Sequence, residues 1–252
     1  MIIRIIVSLV LFLSVCSGLA RAGQTELKIA LGNFRPLFSG PGESALFKDL
    51  IEGVYAYIPS KTISYRYMLS NARLVVELNE NTVDGAANIF SPGEIKGCIS
   101  QPVFRYSDVA ITRKDRGLKI NSVADLKDVS VVTYQRARTL LGKEFNAVVS
   151  GNEFYQEVPQ PKEQARLLAT GMVDVSIGDK YIFLHSLKTW SKGHYDVNEF
   201  VIHPIFPDVY TYMGFNRQEL CDEFDLALAL FKASGRYEEI FTEHLFALGY
   251  RH

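Results

Sequence analysis

Apolar positions recur along the chain with two periods, and the periods alternate. Leu27-Lys28-Ile29-Ala30-Leu31 reads as a strand, ended by Gly32. Residues 36–42 are broken by proline and glycine and predict a loop. Leu46, Phe47, Leu50, Ile51, Val54, Tyr55 and Ile58 then repeat with helical spacing, predicting a helix over 44–58. Residues 62–68 alternate and are rich in β-formers, 71–79 form a short helix, and 83–89 form a buried strand. Further strands are expected at 103–112, 129–133, 173–177 and 209–215. Further helices are expected at 136–145, 162–170, 219–233 and 237–245. Ser122 and Asp125 have the spacing of a capping box at the start of another short helix. Gly171 closes the helix before it.

Strand and helix in alternation imply an α/β fold, with parallel sheet and helices on its faces. The chain has no internal repeat, no low-complexity tract and no Gly/Ser-rich linker. A division into two lobes must therefore run through structured crossovers.

The first 22 residues change the picture of where the protein works. Arg4 is followed by an apolar run over 5–15, and Ala20-Arg21-Ala22 places small residues at the −3 and −1 positions. This is the pattern of a cleavable export signal, with cleavage after Ala22 and a periplasmic product. The apolar run is too short to span a bilayer. A rival lipoprotein cleavage before Cys16 would put Val15, a poor fit, next to the scissile bond. Cleavage after Ala22 leaves 230 residues with 25 basic and 28 acidic side chains. That balance argues against a nucleic-acid partner, which needs clustered positive charge. Cys98 and Cys221 remain. An oxidising compartment permits a disulfide between them, but sequence alone does not place the sulfurs together.

Four stretches carry a family resemblance: NSVADLKDVSVVT (121–133), EQARLLATGMVDVSIGDKY (163–181), QPVFRYSDVAITRKD (101–115), and the return strand with its closing helices (210–245). In order and spacing the chain resembles the type II periplasmic solute-binding proteins, in particular the amino-acid-binding family 3. The resemblance implies two α/β lobes, each a mostly parallel sheet flanked by helices, joined by two hinge strands. It puts lobe 1 at 23–107 plus 209–252 and lobe 2 at 108–208, with a small polar ligand between them. It also implies the permease of an ABC importer in the inner membrane as partner, and a monomer.

Carried over position by position, the resemblance nominates Phe34 to stack on a ligand, and Phe90 and Ser91 to hold it. Each has a plainer reading: Phe34, for example, would equally plug the core. The family's carboxylate-binding arginine should fall near Gly93 or Glu94, and neither presents the rigid fork that matches a carboxylate. Glu94 is either a solvated turn residue or, if it faces the cleft, a bias toward a cationic ligand. In lobe 2 the resemblance points to Tyr134, Arg136 and Arg138 at a helix start, where anions are favoured. The two arginines are candidate replacements for the missing charge, or else exposed helix residues. Asp179, five residues after Asp174, matches the acid that binds a ligand's α-amino group in that family.

Catalytic signatures are missing. The five histidines lack metal-ligand spacing, and neither a nucleophile elbow nor a phosphate-binding loop occurs. No cofactor and no metal site are expected. Trp190 lies in a polar stretch that reads as a surface loop. The leading expectation is a binding protein that is not an enzyme and delivers a solute to an ABC importer. A stand-alone sensor is the second reading. An enzyme like the cyclohexadienyl dehydratases, which resemble the same family, is the third, with Glu94 as its acid.

Overall fold

The computed structural model describes residues 24–251. The export signal and its cleavage site therefore lie outside the described residues. The chain runs β1 (Thr25–Ala30), α1 (Leu46–Tyr55), β2 (Lys61–Arg66), α2 (Asn71–Asn79), β3 (Gly85–Ile89), β4 (Cys98–Ile99) and β5 (Phe104–Tyr106). It continues through β6 (Asp108–Arg113), β7 (Val131–Tyr134), α3 (Ala137–Leu140), α4 (Gly142–Ser150), β8 (Tyr155–Val158), α5 (Pro161–Ala169) and β9 (Val175–Asp179). It closes with α6 (Lys180–Ser191), β10 (Phe200–His203), β11 (Val209–Phe215), α7 (Gln218–Ala233) and α8 (Arg236–Ala247).

Two sheets result. The first has the order β2-β1-β3-β11-β4, with β5 also paired to β11, and the second has the order β10-β6-β9-β7-β8. Both sheets are mixed, and in each all strands but one point the same way, in keeping with the mostly parallel sheets expected. β1 runs parallel to β2 and β3, and β7 parallel to β8 and β9. β11 is antiparallel to β3, β4 and β5, while β6 is antiparallel to β9 and β10. The physical reason is the crossover. β6 and β11 are the strands by which the chain enters each sheet from the other one, so they arrive against the local strand direction.

Each sheet buries its apolar face under helices. α1 turns Leu46, Phe47, Leu50, Ile51, Val54 and Tyr55 inward, the stripe that its spacing dictates. Burying each large side chain contributes about 1.5–3 kcal/mol. Every residue of β3 is buried, which explains why it reads as a continuous small-apolar run. Around the second sheet, Val131, Phe145, Val149, Val175 and Ile177 pack together. Cys98 on β4 and Cys221 on α7 form a disulfide across 123 positions, tying helix to sheet in the first lobe. Such a cross-link stabilises by about 2–4 kcal/mol, chiefly by restricting the unfolded chain.

Three differences from the sequence reading have local causes. The strand expected over 103–112 is two strands, β5 and β6, divided at Ser107, where the chain leaves one sheet for the other. The helix expected over 136–145 breaks between α3 and α4, where Gly142 takes φ +92°, a conformation that favours glycine. Trp190 sits on α6 rather than in a loop, and its indole stacks on Tyr195 with centroids 5.8 Å apart.

Candidate functional site

The two crossings between the sheets lie side by side and are clasped. The Ser107 hydroxyl donates to Asp208 Oδ1 at 2.6 Å, joining the first crossing to the second. The Ser107 N–H donates to Asp179 Oδ2 at 3.0 Å. The other oxygen of Asp179 accepts from the N–H groups of Tyr181 at 2.9 Å and Ile182 at 3.1 Å. Asp179 is thus the N-cap of α6 as well as a clasp on the hinge.

On one side of this hinge opens a cleft of about 490 Å³. Phe34, Asn71, Phe90, Tyr106 and Val209 line it from the side of the first sheet. Asp108, Tyr134, Gln135, Leu140, Gln164, Asp179, Ile182 and Phe183 line it from the side of the second. Size and apolar lining, with a few converging polar groups, are those of a small-molecule site.

Buried polar chemistry fixes the aromatic wall. Asn88, buried and held at φ +67°, accepts from the Tyr106 hydroxyl and from Thr211 Oγ1, each at 3.0 Å. Its amide donates to Asn71 Oδ1 at 3.2 Å. Two cleft residues are thereby anchored to one strained asparagine. The Tyr106 ring also packs on Phe90 at 5.5 Å and edge-on to Phe47 at 5.2 Å. Across the cleft, Gly178 leaves room for Gln164 and Tyr134: a Cβ there would lie 3.3 Å from Gln164 Oε1.

The charged groups on the wall are both acids, Asp108 and Asp179, which pair as neighbours across β6 and β9. Burial raises the Asp108 carboxyl, against a 2.8 Å hydrogen bond from Tyr134. Asp179 is 5% exposed. Burial first, and then the negative charge of Asp108, push it up to about 7 despite its three N–H donors. Among the described residues no arginine, lysine or histidine side chain lines this cleft.

The structure brings together four of the residues nominated by the sequence, Phe34, Phe90, Tyr134 and Asp179. The other four stand outside the lining. Ser91 and Glu94 are exposed on a short 3-10 turn, where the Glu94 N–H donates to the Ser91 carbonyl at 3.1 Å and its carbonyl accepts from the Asn79 amide at 2.8 Å. Arg136 takes φ +68°, and its N–H donates to Glu157 Oε2 at 2.7 Å. Arg138 donates its own N–H to Glu157 Oε1 at 3.3 Å, and its guanidinium lies 4.5 Å from the centroid of Tyr155. The helix start expected to hold an anion therefore already holds the Glu157 carboxylate, and α3 is a single turn. Asp108 was missed by the sequence reading. The available signal was an acid opening an otherwise apolar strand immediately after a crossover.

No family model matches the chain, and no curated protein matches it. Solved structures do. The L-cystine solute receptor of Neisseria gonorrhoeae, in its unliganded open conformation, superposes with a TM-score of 0.69 at 17% identity, covering 89% of this chain and 95% of that one. A probable amino-acid ABC transporter extracellular-binding protein of Bacillus subtilis gives 0.67 at 18% identity, over 88% and 98%. A histidine kinase sensor domain with similarity to periplasmic binding proteins gives 0.58 at 18%, over 89% and 97%. At these identities the likeness establishes the fold. The chain has the two-lobed α/β periplasmic-binding-protein fold.

Proposed function

We propose that this protein is exported to the periplasm and captures a small solute in its interlobe cleft for the permease of an ABC importer. The observation that carries the reading is the cleft itself. It is a preformed aromatic and acidic cavity, built by both lobes at a hinge that two chain crossings form. In this reading the lobes are residues 24–107 with 209–251, and residues 108–208. Phe34, Phe90, Tyr134 and Asp179 line the ligand site, and Asp108 joins them.

Closure of the lobes would exclude water and strengthen every polar contact inside. A ligand that touches both lobes favours the closed state by the difference in its affinity for the two states. No helix among the described residues is long and apolar enough to cross a membrane.

The enzyme reading loses Glu94, the acid assigned to it from the sequence, which stands outside the cleft lining. The sensor reading has one specific support: the histidine kinase sensor domain shares the fold. A thermal-shift and calorimetry screen over amino acids, amines, organic acids and small peptides tests the proposal. The expected result is one compound class that raises Tm strongly, unchanged on recovery. A compound that is consumed would overturn the binder reading. Purified permease–ATPase whose hydrolysis is stimulated by the liganded protein would select import over sensing.

A further inference from the structure

We infer that the solute is an organic cation without a carboxylate: an amine with an apolar or aromatic body, rather than an α-amino acid. This rests on the solute-binding reading above and names its ligand class.

Four observations converge. Asp108 and Asp179 supply the only formal charge on the cleft wall among the described residues, and it is negative. Second, Asp108 has a single hydrogen-bond donor, the Tyr134 hydroxyl, so its carboxylate keeps acceptor capacity toward the cleft. Asp179, with three N–H donors, contributes its charge more than a free lone pair. Third, the aromatic rings of Phe90, Tyr106 and Tyr134 line the same cleft as these acids, and ring faces attract a cation. Fourth, the remaining polar lining, Asn71, Gln135 and Gln164, is neutral.

A carboxylate has no cationic partner in this arrangement. The basic groups nearby are committed elsewhere. Arg35 pairs with Glu43 at 2.8 Å, and Arg138 lies on Tyr155. Lys180 lines a second groove at the hinge, with Arg105 and Asp208; Asp108 borders that groove too, but its carboxylate is hydrogen-bonded by Tyr134, a residue of the cleft lining. Main-chain donors are committed too. The first N–H groups of α6 bind Asp179, and those at the start of α3 bind Glu157. A zwitterion could satisfy its ammonium here, but its carboxylate would enter a water-poor cleft beside two acids. An amine avoids that cost and restores the charge balance of the acids.

Matched pairs separate the alternatives. Wild-type protein is titrated by calorimetry with agmatine and arginine, tyramine and tyrosine, histamine and histidine, and choline and glycine betaine. The expected result is that at least one amine or choline binds, and more than about tenfold tighter than its carboxylated partner. Asp108→Asn should then weaken that cation by about tenfold or more while leaving thermal unfolding cooperative. If in every pair that binds the carboxylated member binds equally or better, the inference is overturned, while solute capture in the cleft stands. If the cation that binds is indifferent to Asp108→Asn, the inference is also overturned, because its charge is then recognised elsewhere. If neither column binds, the inference is overturned, and the wider screen over organic acids and small peptides decides whether solute capture stands.

Discussion

In the first lobe, Glu77 is fully buried and answered on every side. It accepts from Arg73 Nε at 2.6 Å, and Arg66 and Thr82 also donate to it. The Thr82 hydroxyl and the two guanidinium groups hold its carboxyl below the usual range. At the hinge, Asp108 and Asp179 are drawn out of water with no cation hydrogen-bonded to either, and both are pushed up, although the Lys180 ammonium lies near Asp179. The comparison teaches how to sort buried acids. A charge compensated by its own chain belongs to the architecture. A charge that the chain leaves uncompensated on a cavity wall awaits something from outside.

Substitutions should separate the two kinds of acid by opposite signs. The largest effect is expected on binding. Asp108→Asn should weaken a bound amine by roughly tenfold to a hundredfold, the range of a charge-assisted hydrogen bond. The same variant should raise the Tm of the free protein at pH 8, because a carboxyl raised above its unfolded value costs stability once ionised. Glu77→Gln should do the reverse. It should lower Tm by several degrees and leave amine affinity unchanged, since it strips a carboxylate from two arginines that are not part of the cleft lining. Equal stability losses in the two variants would break the comparison.

A pH series sharpens it. Asp179 faces Asp108, the hydroxyls of Tyr106, Tyr134 and Tyr181, and the ammonium of Lys180. With its free-state value near 7, the ionised form costs folding stability increasingly as pH rises from the ordinary carboxylate range through 7. A bound cation favours that ionised form. Amine affinity should therefore rise about tenfold between pH 6 and pH 8 and level off above, as read by calorimetry. The smallest effects should come from Glu94→Gln and Arg138→Gln, which alter groups outside the cleft lining. Both should leave affinity for the amine unchanged.

Much of the architecture was legible in the sequence. α2 and β11 coincide with the segments that their periodicity marks out, and the Ser122–Asp125 capping box forms as its spacing requires. Local signals suffice there, because they report local structure. The hinge is different. Residues 103–112 are rich in β-formers on both sides of Ser107-Asp108, and a polar pair within such a run does not by itself mark the point where the chain changes sheets. The sequence pattern predicts no helix over 180–191, although Asp179 is a good N-cap for α6.

The site was half legible. Phe34, Phe90, Tyr134 and Asp179 could be placed by resemblance and do line the cleft. The side on which Glu94, Arg136 and Arg138 fall depends on long-range packing. For the two arginines it depends on Glu157, a residue on a strand that periodicity did not reveal. Asp108 gains its meaning only when β6 pairs with β9 and sets it beside Asp179.

The central claim is that a cation completes the charge of the acids at the hinge. It is tested most directly by calorimetric titration of the tightest-binding amine at pH 7, in two buffers of different ionisation enthalpy. The account predicts proton release, roughly half a proton for a group titrating near 7. Proton uptake, or an enthalpy identical in the two buffers, would contradict it.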